Sequence, residues 1–66
     1  MKIIVNGKQQ VIAPKTTLEC FLTQNAYPTR RIAVEYNGQI ITRDEYAQLF
    51  LKEGDKLEIV RFVGGG

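Results

Sequence analysis

The dipeptide Asn-Gly occurs twice, at Asn6-Gly7 and Asn37-Gly38, each time between apolar stretches. Both residue types tolerate φ > 0, as a two-residue hairpin turn requires, so each dipeptide predicts a tight β-hairpin. Into the first turn runs Met1-Lys2-Ile3-Ile4-Val5, with Met1, Ile3 and Val5 on one face and Lys2 and Ile4 on the other. Residues 8–13 return as a second strand, which Pro14 ends because proline has no N–H for the ladder. Around the second turn, residues 32–36 form a strand with Ile32, Val34 and Tyr36 on one face. Residues 39–41 form a short fourth strand.

Between the hairpins the period changes from two to that of a helix. Thr16-Thr17-Leu18-Glu19 fits a capping box with Thr16 as N-cap. Leu18, Phe21, Leu22 and Ala26 share one helical face, and Asn25 and Pro28 mark its end. Cys20 falls opposite that stripe and is expected to be partly exposed. Thr42-Arg43-Asp44-Glu45 is a second capping box, opening a short helix or 3₁₀ turn that includes Tyr46. Leu49-Phe50-Leu51 fits a helix end and an extended piece equally well. Glu53-Gly54-Asp55 is a turn into a last strand over residues 56–63. That strand directs Leu57 and Ile59 inward and Glu58, Val60 and Phe62 to the other face. Two hairpins with a helix between them predict an α+β domain, a mixed sheet of about five strands with one main helix packed on one face. The first and last strands lie parallel at its centre. The domain covers residues 1–63, and residues 64–66 form a flexible glycine tail.

Composition narrows the chemistry. The 66 residues hold one domain. They include one Cys, no His and no Ser, so an intrachain disulfide, a Cys/His zinc site and Ser-His or Cys-His nucleophiles are excluded. The formal charge of +2 is too balanced for a nucleic-acid binder. No apolar run approaches the ~18 residues of a membrane span, and the first residues lack a signal-peptide layout. The expectation is a cytoplasmic protein with neither nucleic acid nor membrane as partner, a monomer when free. Arg30-Arg31 reads as a solvated loop, Arg43, Asp44 and Glu45 as a capped turn, and Tyr27, Tyr36 and Tyr46 as half-buried packing residues. With so little side-chain chemistry, the main-chain end becomes the place to look.

This order of elements resembles the β-grasp (ubiquitin-like) fold. Met1-Lys2-Ile3-Ile4-Val5, the Gly54-Asp55 turn and the Gly65-Gly66 ending are similar to that superfamily. Within it, the length, the stretch from Ala33-Val34-Glu35-Tyr36-Asn37-Gly38 through Arg43-Asp44-Glu45-Tyr46, and the Phe62-Val63-Gly64-Gly65-Gly66 ending resemble the thiamine-biosynthesis sulfur carrier family, ThiS. The chain ends in three glycines where the family motif needs two, so the diglycine role falls on Gly65 and Gly66.

The resemblance implies a protein co-substrate and not an enzyme, with no cofactor or metal of its own. A ubiquitin-activating-like adenylyltransferase, using ATP and Mg²⁺, would adenylate the Gly66 carboxylate. A sulfur donor such as a cysteine desulfurase would convert the adenylate to a thiocarboxylate, and thiazole synthase would take the sulfur. The physical reasons stand separately. A terminal carboxylate, with a pKa near ~3.5, is an anion at neutral pH and a poor electrophile until a leaving group is installed. Gly64 and Gly65 lack Cβ atoms and thread a narrow channel in a partner. Val60 and Phe62, beside Ile4, are candidates for a docking patch next to the tail, with Arg61 as a charged rim contact. A one-residue slip at a bulge would reverse that assignment. The alternatives are a molybdopterin-synthase small subunit, a tRNA-thiolation carrier, and a ubiquitin-like binding module without acyl chemistry.

Overall fold

Both Asn-Gly dipeptides reverse the chain through positive φ: 50° and 83° at Asn6 and Gly7, 49° and 88° at Asn37 and Gly38. This is the signature of a type I′ turn, whose twist matches that of the strands it joins. The computed structural model describes residues 1–62. Val63 and the glycine tail expected over residues 64–66 lie outside the described residues.

The strands are β1 (Lys2–Val5), β2 (Lys8–Val11), β3 (Ile32–Tyr36), β4 (Gln39–Ile41) and β5 (Lys56–Arg61); the helix is α1 (Leu18–Gln24). A 3₁₀ turn spans Arg43–Glu45. The five strands form one sheet in the order β2-β1-β5-β3-β4. β1 and β5 run parallel at its middle, as expected, and the other pairs are antiparallel. Alternation along the strands sends Ile3, Val5, Ile32, Val34, Leu57 and Ile59 to one face, where they join Leu18, Phe21 and Leu22 of α1 in a single apolar core. Burying each of those helix side chains contributes about 1.5–3 kcal/mol relative to leaving it in water. Among the described residues, no helix covers the sheet's opposite face.

Several expectations are corrected. β2 stops at Val11, not residue 13, because its partner runs out: the ladder closes at Lys2↔Val11. Ile12 is then tied to Met1 by two 2.8 Å hydrogen bonds, its N–H to the Met1 carbonyl and its carbonyl to the Met1 amino group. The N-cap of α1 is Thr17, not Thr16. Residues 16–18 are held in extended form against residues 49–51 by Leu18 N–H to the Leu49 carbonyl (2.8 Å) and Leu51 N–H to the Thr16 carbonyl (2.9 Å). The helix therefore begins one residue later, and the Thr17 hydroxyl accepts from Cys20 N–H at 3.1 Å. The same pairing settles Leu49-Phe50-Leu51 as extended.

Ala26 leaves the apolar face. It sits just past the helix end at φ 60° and is exposed. Its N–H donates to the Thr23 carbonyl and that of Tyr27 to the Leu22 carbonyl, the two bonds of a Schellman cap. Tyr46 is not half-buried but 3% exposed, within the core at the end of the 3₁₀ turn. Tyr27 and Tyr36 are half-buried as expected.

Candidate functional site

β5 is the strand that leads to the glycine tail, and the fold grips it from both sides. Antiparallel pairing to β3 runs from Tyr36↔Leu57 to Ile32↔Arg61. On the other side the parallel ladder to β1 is short, at Ile4↔Lys56 and Val5↔Leu57. The Asn6 side chain extends it. Its Oδ1 accepts from Ile59 N–H at 2.7 Å and its Nδ2 donates to the Ile59 carbonyl at 3.2 Å. A side-chain amide here substitutes for the next peptide of a strand. Sequence reasoning read Asn6 for its φ alone. Its side-chain role depends on a strand more than fifty residues away and has no local signal.

The start of β5 is organised around Asp55, which is 5% exposed. Its Oδ2 accepts from Lys52 N–H at 2.7 Å and from the Tyr36 hydroxyl at 2.8 Å, and its Oδ1 from Asn37 Nδ2 at 3.2 Å. Asn37 Oδ1 in turn accepts from Lys56 N–H at 2.8 Å. The Lys52 amine donates to the Tyr36 hydroxyl at 3.2 Å. That bond, followed by the charge interactions with Tyr36 and Asp55, holds the amine above its ordinary pKa. A carboxylate taken out of water needs such donors. In the sequence, the tyrosine and asparagine that supply two of them signal only packing and a turn.

At the other end, Phe62 N–H donates to the Arg31 carbonyl at 2.8 Å. The Arg61 guanidinium lies 5.2 Å from the centre of the Tyr27 ring, within cation–π range. The last described residues are thus fastened to the loop before β3, and the chain leaves from a defined corner.

The residues singled out for docking divide. Val60 and Phe62 both lie on the uncovered face of the sheet and are each 59% exposed. Arg61 points the other way, toward Tyr27, and does not border them. Ile4 lies on the uncovered face and is half-buried, but it pairs with Lys56. Four residues of strand therefore separate it from Val60, about 13 Å. The expected cluster with Ile4 is corrected to a smaller one of Val60 and Phe62, because the parallel register begins at the far end of β5. Glu58 stands between Ile4 and Val60 on that face, with Glu35 of β3 directly opposite it. Gly64, Gly65 and Gly66 lie outside the described residues. Cys20 is exposed, beyond the partial exposure expected. Among the described residues no group of three or more His, Cys, Asp or Glu side chains is placed to hold a metal ion.

This architecture meets a family model. The ThiS family model matches residues 3–66. The chain belongs to the ThiS family. It is 35% identical over 63 residues to the sulfur carrier protein ThiS of Bacillus subtilis, an alignment covering 94% of this chain and 96% of that one. It is 41% identical over 66 residues to the thiazole synthase of Paramagnetospirillum magneticum, where the whole of this chain corresponds to 20% of that protein. The crystal structure of the thiamine biosynthesis protein ThiS from Geobacter metallireducens superposes with a TM-score of 0.84 at 29% identity, covering 100% of both chains. The five-stranded sheet with one helix is the β-grasp fold of this family, and no helix among the described residues is long and apolar enough to cross a membrane.

Proposed function

We propose that this chain is a sulfur carrier of thiamine biosynthesis and that its working group is the carboxylate of Gly66. The observation that carries the reading is the family match, which runs through the glycine tail. The sulfur carrier name of the Bacillus subtilis relative supports it, and favours thiamine over molybdopterin synthesis or tRNA thiolation. The correspondence with a fifth of two thiazole synthases supports thiazole synthase as the protein that takes the sulfur.

In this cycle a carboxylate oxygen of Gly66 attacks the α-phosphorus of ATP in a ubiquitin-activating-like adenylyltransferase, and pyrophosphate leaves. The terminal sulfur of a persulfide on a donor of the cysteine desulfurase kind then displaces AMP from the acyl carbon to give an acyl disulfide, and a thiol reductant cleaves its S–S bond to leave the thiocarboxylate. Mg²⁺ and the charge-neutralising groups belong to the partner, where catalysis is chiefly positioning of the two anions. The carrier supplies no catalytic residue. Its contribution is to present a glycine thread of Gly64 and Gly65 from a fixed corner, with Val60 and Phe62 as the apolar contact beside it. Dependence on ATP and on these partners assigns it to the cytoplasm.

Intact-mass spectrometry after incubation with ATP, Mg²⁺, a cognate activating enzyme and a sulfur source tests the reading. The expected product has one oxygen replaced by sulfur, localised to Gly66. Deleting Gly65 and Gly66 abolishes it and leaves the fold intact. An unchanged mass, or a sulfur mapped elsewhere in the chain, overturns the proposal.

A further inference from the structure

Away from the tail, a cleft of about 260 Å³ is lined by Glu19 of α1, Thr29 and Arg30 of the loop before β3, Arg43 of the 3₁₀ turn, and Tyr46. Tyr46 is 3% exposed and its ring belongs to the core. Every fully buried polar side-chain atom among the described residues has a hydrogen-bond partner. The Tyr46 hydroxyl has none among them, so it is the part of the side chain that reaches the cleft. A buried phenol is usually satisfied; this one opens onto a space lined by two arginines. Burial pushes its pKa up, and the Arg43 charge opposes that shift, which places Arg43 close to the ring.

We propose that this cleft is a binding site for a phosphate-class oxyanion, held by Arg30 and Arg43 with the Tyr46 and Thr29 hydroxyls as neutral donors. Guanidinium groups recognise phosphate through paired N–H bonds. One such fork satisfies a planar carboxylate. Two forks and two hydroxyls, contributed by separate elements, suit the three terminal oxygens of a tetrahedral anion. The Glu19 carboxylate is the opposing charge on the lining. It leaves the lining net positive, and it can accept from a protonated phosphate oxygen. Asp44, beside Arg43 in sequence, keeps its carboxyl below the ordinary range first through the Thr42 hydroxyl and then through its own backbone N–H, with Arg43 contributing least. Arg43 is therefore not committed to it. The inference does not depend on the sulfur-carrier reading, since no residue of the cleft belongs to β5 or the tail.

Titration of the ¹⁵N-labelled protein with inorganic phosphate at constant ionic strength tests it, with acetate and chloride as parallel arms. The expected result is saturable shifts at the amides of residues 29, 30, 43 and 46 and at the arginine Nε–H groups. Binding of phosphate should exceed that of acetate roughly tenfold, about the value of one charge-assisted hydrogen bond. Arg30→Gln and Arg43→Gln should each weaken it roughly tenfold or more. Tyr46→Phe keeps the ring in the core and should weaken binding a few-fold. Equal responses to phosphate and acetate overturn the phosphate assignment. Shifts that rise linearly in every arm, or that persist unchanged in both arginine variants, overturn the site.

Discussion

The two hairpins carry the same dipeptide, adopt nearly the same φ values and place both asparagine side chains against β5, yet they hold it by different means. Asn6 commits its whole amide to one residue, donating to the Ile59 carbonyl and accepting from the Ile59 N–H. Asn37 divides its amide between the Lys56 N–H and the carboxylate of Asp55, which also receives Tyr36 and Lys52. The middle of β5 is therefore fixed by a neutral imitation of a strand, and its start by a buried charge. One local signal has produced two kinds of anchorage, because what each asparagine meets depends on which part of β5 passes it.

The largest effect should come from the charged side. Asp55→Ala leaves the Lys52 N–H, the Tyr36 hydroxyl and the Asn37 amide without their acceptor. Urea unfolding should show a loss of about 3 kcal/mol, since donors stripped of a buried acceptor cost ~1–3 kcal/mol each and water reaches some of them. A loss under ~1 kcal/mol would mean that Asp55 is not the hub its bonds describe.

Asn6→Gly and Asn37→Gly sharpen the comparison, because glycine keeps the turn and removes the side-chain bonds. Each should destabilise the domain by about 1–2 kcal/mol, or roughly 4–8 °C in Tm per kcal/mol for a chain of this size. Combining each with Asp55→Ala separates the two clamps. Asn37→Gly should be much less than additive with it, and Asn6→Gly nearly additive. Equal coupling in both pairs would erase the distinction drawn here.

One of the positive φ angles outside the hairpins supplies the smallest effect. Ala26 occupies the left-handed position of the α1 cap at 60°, where glycine is preferred. Ala26→Gly should raise stability by about half a kcal/mol, the relief of backbone strain partly offset by the freer unfolded chain. A drop in thermal midpoint would show that the Ala26 methyl contributes more than its backbone costs.

Much of this fold was legible because its strongest signals are local. The two Asn-Gly turns, the helical stripe of Leu18, Phe21 and Leu22, and the inward pair Leu57 and Ile59 each depend on neighbours within a few residues. Apart from Ala26 and the end of β2, which local bonds decide, the errors lie where a distant segment intervened. Thr16 has the sequence of an N-cap, but pairing with residues 49–51 moves the helix start to Thr17. Ile4 and Val60 alternate onto one face, yet the parallel register sets them four residues apart along neighbouring strands. Arg61 reads as a rim charge for that face, and the twist of alternation puts it on Tyr27 instead.

The candidate site divides along the same line. Val60 and Phe62 were found on the open face from period alone. The grip of Asn6 and Asn37 on β5, the convergence on Asp55 and the cleft around Tyr46 were not, because each is a meeting of residues far apart in the chain.

By itself, the order of residues determined the turns, the elements, their inward faces and the family. Those follow from backbone preferences and from the period of apolar side chains, which act over one turn or one pleat. Which side chains would satisfy the buried polar groups of β5, and which would be left facing a cleft, was decided only when the strands were set side by side. A hydrogen bond needs its partner within about 3 Å, and the chain's folded path alone determines who comes that close.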